Sequence, residues 1–364
     1  MRIAFYGSSL LSSYWNGAAT YYRGLLSALA ALGHDITFYE PDAFDRQSHR
    51  DIEPPDWAKV VVYPATEAGL RQVLGEARHA DVVVKASGVG VFDDALLEGV
   101  TSFARPEAVR IFWDVDAPAT LAEIRPNPEH PIRQALPMLD AVLTYGGGRP
   151  VIDAYCRLGA AVCLPVYNGL DPATHHPVPP EPAFATDLVF LGNRLPDREA
   201  RVEHFFLSPA EALPARRFLL AGSGWADKPV SANVRRLGHV GTAQHNALNC
   251  SALAVLNIAR DRMASVGFSP ATRVFEAAGA GACLLTDYWE GIELFLRPDE
   301  EILVARDGAD VVRHLAELTP ERARDIGKRA LARVLAEHTY ERRARLVEAF
   351  LTDALQRRRE RVAA

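Results

Sequence analysis

Residues 267–287 read GFSPATRVFEAAGAGACLLTD, and the fold class turns on this stretch. Ser269 suits a helix N-cap, and Pro270 suits the first helical position, where its missing N–H costs nothing. Val274, Phe275 and Ala278 then fall on one face, the spacing of a helix that packs on a core. The small residues from Ala277 to Ala282 allow that helix to pack closely on a sheet. Residues 283–286 follow as an apolar run with no polar alternation, which predicts a strand buried on both faces of a parallel sheet. Glu276 lies on the same helix. A carboxylate in such a place is costly without a hydrogen-bonding partner. A ribose diol offers two donors; a nearby arginine would satisfy it equally.

The same alternation runs outward in both directions. Short apolar or β-branched runs at 3–6, 36–39, 60–63, 82–85, 109–113, 141–145 and 162–165 are separated by helical patterns. Further runs follow at 188–191, 218–221, 253–258 and 283–286. The clearest helix is 18–32, with Gly33 as its stop. This is the pattern of a doubly wound α/β protein. It breaks once. Residues 166–186 hold five prolines and no period, which is linker composition. The expected organisation is an N-terminal Rossmann-like domain at 1–168, a linker at 169–186, a second Rossmann-like domain at 187–338 and a terminal segment at 339–364. The last 45 residues predict two helices, 321–337 and 340–359. The second has an apolar stripe of Val347, Phe350, Leu351, Ala354 and Leu355. The arginine-rich end at 356–361 reads as a solvated helix terminus, with an anionic membrane surface as the other reading.

Composition bounds the function. A chain of 364 residues, 49% hydrophobic and 24% charged, has material for two cored domains. The net charge of −6 argues against nucleic acid as the main partner. The four cysteines show no CxxC spacing and read as reduced thiols, so a cytoplasmic location is expected. No apolar run approaches the ~20 residues of a membrane span. The N-terminal run is broken at Gly7 and does not read as a signal peptide. His34, His49, His79 and His204 lack metal-ligand spacing. The adjacent pair His175-His176 is wrong for two ligands on one helix face, so no bound metal is expected.

Three further constellations are candidates for chemistry. The loop GSSLLSSYWNG at 7–17 joins a strand to a helix start, the geometry of an anion site or of a plain structural turn, and it is neither GxGxxG nor a Walker A motif. Past the strand at 188–191 stand Gly192, Arg194, Arg198 and Arg201. Guanidinium groups at a strand's carboxyl end can clamp a diphosphate; alternatively they pair with Asp197, Glu199 and Glu203. In the first half, Asp114 and Asp116 follow a buried strand and are candidates to deprotonate an acceptor hydroxyl. Asp116 also suits a cap for the next helix. Tyr145-Gly146-Gly147-Gly148 ends another strand and allows close backbone approach to a ligand, or forms a plain loop.

Taken together, these segments resemble the GT-B glycosyltransferases. The resemblance is carried by the Glu276 helix and its following strand, by Asn16-Gly17 before the first long helix, by LAALGHDIT at 29–37, and by Tyr167-Asn168-Gly169-Leu170-Asp171-Pro172 with His176-Pro177. More narrowly, GNRLPDREARV (192–202), HNALN (245–249) and the end of the chain resemble the spore-maturation-protein-type, group 1-like branch. The resemblance implies two Rossmann-like domains facing across a cleft, with the last helix crossing back to the first domain. It implies a hexosyltransferase-like enzyme using a nucleotide-diphosphate sugar, most simply a UDP-sugar, with no further cofactor and no metal. The acceptor would be a saccharide, lipid, protein or small metabolite. Glu276 would hold the donor ribose, Arg194 and Arg198 would neutralise the diphosphate, and Thr272, Arg273 and Gly17 would complete the donor contacts. One departure stands out. The family's common retaining members carry a second glutamate eight positions before the ribose-binding one; here that position is Phe268. A sugar-nucleotide epimerase, or a non-catalytic sugar-nucleotide-binding protein, are the alternatives on the same scaffold.

Overall fold

A computed structural model of the chain describes residues 1–14 and 16–363; Trp15, within the 7–17 loop, and Ala364, at the end of the terminal segment, lie outside the described residues. The chain forms two compact units. The first comprises Met1–Tyr167 together with Tyr340–Ala364, and the second Asn168–Thr339.

The first unit is built on a seven-stranded sheet. Its strands are β1 (Arg2–Tyr6), β2 (Asp35–Asp42), β3 (Ala58–Pro64), β4 (Val82–Ala86), β5 (Val109–Asp114), β6 (Ala141–Thr144) and β7 (Cys163–Pro165). They lie in the order β3-β2-β1-β4-β5-β6-β7, and every neighbouring pair is parallel. The unbroken apolar runs have the reason expected of them. All five residues of β4 are buried, because helices cover both faces. Lys85 is the polar member of that strand, and its ammonium reaches Asp93 at 2.5 Å.

The last helix, Tyr340–Ala363, belongs to this unit and lies along the helix Ala19–Ala31. Gly24 allows that approach, since a Cβ there would stand 2.2 Å from the Tyr340 ring. Val347, Leu351, Ala354 and Leu355 are buried, while Phe350 packs at the margin. Burial of each valine or leucine contributes about 1.5–3 kcal/mol. Arg358, in the arginine-rich end, is not merely solvated: it donates to the Pro106 carbonyl at 2.8 Å and pairs with Asp140 at 3.0 Å.

The second unit has six strands: β8 (Thr186–Leu191), β9 (Phe218–Ala221), β10 (Val234–Leu237), β11 (Ala252–Asn257), β12 (Leu284–Asp287) and β13 (Leu303–Ala305). Their order is β10-β9-β8-β11-β12-β13, again all parallel. The two edge strands, β10 and β13, were not legible as apolar runs. In β10 the central Arg235 and Arg236 are exposed, as an edge permits, and β13 is only three residues long.

The proline-rich stretch is part of this second unit. Asn246 of the helix Thr242–Ser251 receives the His176 amide and donates to the Thr174 carbonyl at 2.9 Å. Further along, the Glu181 amide donates to Ser251 Oγ at 2.7 Å. Prolines with fixed φ give the segment a rigid extended path, and the side chains of that helix take its free amides.

Candidate functional site

In the second unit, four arginines and several carboxylates gather at the carboxyl ends of β8, β11 and β12. The chain turns at Gly192, and Gly222 closes against it: φ there is +121°, and a Cβ would lie 2.3 Å from the Gly192 carbonyl oxygen. Only glycine meets both conditions.

The four arginines that gather here differ in their partners. Arg201 binds the fully buried Asp287, through Nη2 at 2.5 Å and Nε at 3.1 Å. Asp287 also accepts the Ala259 amide, so this pair fastens the β11 and β12 ends together. Arg260 donates to Asp197 at 2.6 Å. Arg194 is held by both oxygens of Glu199, at 2.7 and 2.9 Å, and by Asp227 at 3.1 Å. The Arg194 fork is thus filled by carboxylates, the alternative its sequence neighbours offered.

Arg198 is unlike the others. Its bond is from Nη2 to the Asn193 carbonyl at 2.7 Å, its guanidinium lies over the Phe190 ring at 5.6 Å, and its buried Nε has no partner. Among the described residues no carboxylate stands within ion-pair distance of it. Burial first, and then the charges of Arg260 and Arg273, pull its pKa down to about 10. A cation kept half-dry beside other cations is stabilised by an anion.

The helix Thr272–Gly279 brings the second group. Its N-cap is Ala271, not Ser269; the Ser269 hydroxyl instead donates to the Gly267 carbonyl at 2.9 Å. One residue, Ala271, therefore separates Pro270 from the helix, and the Pro270 carbonyl accepts from Asn168 at 2.9 Å. Phe268 has φ of +49° and is tied through its amide to the Glu290 carbonyl at 2.6 Å. Gly279 lets the 168–176 segment lie on the helix, since a Cβ would stand 2.3 Å from Leu170 and 3.2 Å from the His175 carbonyl. This packing carries His175 to Glu276.

Glu276 is 6% exposed. Burial alone would raise its pKa, but Arg273, His175, His245 and a Thr272 hydrogen bond outweigh that and hold it below the ordinary range. Arg273 Nη1 is 3.2 Å from Glu276 Oε2. The contact is off the hydrogen-bonding direction, and Arg273 Nε and Nη1 are both buried without a hydrogen-bond partner. Thr272, half-buried, is the first residue of the helix. Glu276, Arg273 and Thr272 therefore occupy one helical turn.

One group escaped the sequence. His175, His245 and Glu276 each place a ligating atom within 4.8 Å of the others. They come from the proline-rich segment, from the helix Thr242–Ser251 and from the helix Thr272–Gly279. The HNALN stretch was a visible signal, but nothing local connects it with position 175 or 276.

In the first unit the candidates are separate. Asp114 is fully buried; its carboxylate accepts from Tyr155, from Thr120 at 3.0 Å and from the Asp116 amide at 3.0 Å. Burial pushes its pKa up against those bonds. Its oxygens bind the β5 end to neighbouring elements. Asp116 is half-buried at the N-cap position of the helix Ala117–Ile124 and makes no side-chain cap bond. In the 7–17 loop the amides of Leu10, Leu11, Ser12 and Ser13 are taken by acceptors within the first unit. Buried Glu40 accepts from Leu10 N at 2.5 Å, Leu11 N at 3.3 Å and Ser9 Oγ at 3.0 Å. Gly17 is exposed just before the helix Ala19–Ala31. Gly147, at φ +91°, is demanded by Val151, which a Cβ would strike at 1.9 Å.

Comparison with known proteins agrees with this architecture. Residues 198–349 match a family model described as glycosyl transferase-like. No functionally curated protein matches the chain. Among solved structures, the chain is similar to a sucrose-phosphate synthase from Thermosynechococcus elongatus, at 15% identity and TM-score 0.69, covering 97% of this chain and 98% of that one. It is similar to HepE of Anabaena in complex with UDP-glucose, at 12% identity and TM-score 0.67, covering 97% and 100%. It is also similar to AviGT4, a glycosyltransferase involved in avilamycin A biosynthesis, at 19% identity and TM-score 0.59, covering 98% of each chain. The fold is GT-B: two parallel-sheet α/β units of seven and six strands.

Proposed function

We propose that this chain is a glycosyltransferase that takes its sugar from a UDP-sugar. One observation carries the reading: Arg198, half-desolvated and without a carboxylate, stands at the β8 carboxyl end, where open α/β sheets bind ligands. A diphosphate supplies the missing anion. Glu276, held ionised on the neighbouring helix, is the acceptor for ribose hydroxyls. The glycosyl transferase-like match over 198–349 supports the class. HepE, whose structure holds UDP-glucose, supports the uridine nucleotide.

In the reaction the bond between the sugar C1 and the diphosphate oxygen breaks, and its electron pair leaves with UDP. The acceptor oxygen forms the new bond to C1 and gives up its proton. Arg198 meets the charge that develops on the departing diphosphate, the work a divalent ion does in other transferases. The reading therefore includes transfer without a divalent ion at the diphosphate and without an added cofactor. It places the chain in the spore-maturation-protein-type branch and in the cytoplasm, acting on a saccharide, lipid, protein or small-metabolite acceptor. The experiment is a thermal-shift series with UDP, ADP, GDP and UDP-sugars. A ligand at 100 times its Kd adds ~2.7 kcal/mol, so UDP should raise Tm clearly and the other nucleotides less. No shift with any of them at saturating concentration overturns the reading.

A further inference from the structure

His245 has its two ring nitrogens in different settings. Nε2 lies 3.3 Å from the Val240 carbonyl, which can only accept, so Nε2 carries the hydrogen. The lone pair of a neutral ring is then on Nδ1, which is buried and has no hydrogen-bond partner. A ring nitrogen fixed by a backbone carbonyl on its far side is the arrangement that orients metal-ligating histidines. His175 is 2% exposed, and its buried Nε2 is also unpartnered. Glu276 supplies an oxygen to the same spot, with all three ligating atoms within 4.8 Å of one another.

We propose that His175, His245 and Glu276 form a site for a borderline divalent transition ion, Zn²⁺ first among them. Two imidazole nitrogens and one carboxylate are the donor set of a zinc site with an open fourth position. Bonds of about 2.0–2.2 Å need ligands about 3.5 Å apart, so small side-chain rotations close the site. A hard ion such as Mg²⁺ prefers oxygen ligands and is disfavoured. Burial, the largest cause, lowers the pKa of both histidines, that of His245 to about 4, so both offer lone pairs at neutral pH. Arg273 is the competitor for Glu276. Its contact at 3.2 Å is not a hydrogen bond, and the ion displaces it at the loss of a charge pair alone. The ion would fasten the 168–185 segment to the two helices bearing His245 and Glu276. The proposal shares Glu276 with the donor reading, one carboxylate oxygen ligating the ion and the other left for the ribose; neither histidine takes part in the donor reading.

The test uses the full chain, stripped with a chelator and desalted, then titrated with Zn²⁺ against a chromophoric competitor. One equivalent is expected to bind, and Co²⁺ is expected to give the visible bands of an ion ligated by nitrogen in low coordination. His245→Gln and His175→Gln should each weaken Zn²⁺ by at least about 100-fold, since even an outer partner is worth 10–100-fold. His176→Gln, at the exposed neighbour, should leave it unchanged. Binding that survives both His245→Gln and His175→Gln, or is lost in His176→Gln, overturns the site. So does the absence of stoichiometric binding to the wild-type chain, a result that needs no variant to fold. UDP affinity measured on His245→Gln keeps the two readings apart: the variant is expected to lose zinc and keep UDP.

Discussion

Arg273 and Glu276 sit three residues apart on one helix, with Nη1 3.2 Å from Oε2, yet the guanidinium forms no hydrogen bond through that nitrogen. The pair neutralises charge without using up the hydrogen-bonding capacity of either side chain. Arg198 shares this condition, with a buried Nε that has no partner. Arg201 and Arg194 do not share it: each is held by carboxylates through two nitrogens. Saturated polar groups report on stability, whereas desolvated, unsaturated cations at a strand's carboxyl end are candidates for an anionic ligand.

Arg198 and Arg194 are expected to separate on substitution. Arg198→Lys replaces a planar fork by a point charge and should weaken UDP by roughly ten-fold, about 1.4 kcal/mol, with little change in Tm because no ion pair is broken. Arg194→Lys should leave UDP affinity within about two-fold, because Glu199 and Asp227 occupy that side chain. Isothermal titration of UDP into each variant decides; equal losses in both would restore the two-arginine clamp.

The buried histidines make stability depend on pH in a defined window. His245 has its folded pKa lowered from 6.5 to about 4, by burial first and the Arg273 charge second. His175 is shifted the same way. A group whose folded pKa lies below its unfolded value binds fewer protons in the fold, so unfolding takes up protons below pH 6.5. Stability should therefore fall as pH drops from 6.5 towards 4. Melting curves with chelator present should show that slope, and His245→Gln should flatten it. An unchanged slope would mean that the ring is solvated.

Gly222→Ala is expected to damage the second unit. The new Cβ would meet the Gly192 carbonyl oxygen at 2.3 Å with φ at +121°. Backbone strain of ~1–3 kcal/mol and overpacking of ~1–3 kcal/mol act together. A Tm within 1 °C of wild type, a shift of well under about 1 kcal/mol, would show that the two turns are not packed as described.

Much of the architecture was legible because both-face burial leaves a strong local mark. Val82-Val83-Val84 can hardly be anything but a central strand. Edge strand β10 was not, because its outward Arg235 and Arg236 erase that mark. The helix starts after Ala271 and not after Ser269, whose hydroxyl donates to the Gly267 carbonyl. Which arginine is free could not be read either. Spacing put Arg194, Arg198 and Arg201 near one another, but Asp227 and Asp287, the carboxylates that claim two of them, are 33 and 86 residues away. His175 and His245 are 70 positions apart. Contacts of that range are set by the order of strands, not by any local pattern.

Asp114 is expected to act on stability. Asp114→Ala leaves the Tyr155 hydroxyl, the Thr120 hydroxyl and the Asp116 amide without their shared acceptor. An orphaned buried donor costs about 1–3 kcal/mol, so denaturant melts should show a loss of at least that size. A variant as stable as wild type would return Asp114 to the list of groups free for chemistry.

Glu276 tests the donor reading most directly. Charge-assisted hydrogen bonds to a ribose contribute about 1.5–3 kcal/mol each, so losing one should weaken UDP by roughly ten- to a hundred-fold at ~1.4 kcal/mol per decade, and losing two by more. Glu276→Gln keeps the shape and one acceptor and should lose less than Glu276→Ala. The contact with Arg273 introduces an opposing effect: a buried guanidinium left without its counter-charge costs ~3–5 kcal/mol of stability. The double variant Glu276→Ala with Arg273→Met removes both charges and should recover most of that stability while UDP affinity stays low. Recovery of stability together with wild-type UDP affinity would show that Glu276 serves only to balance Arg273.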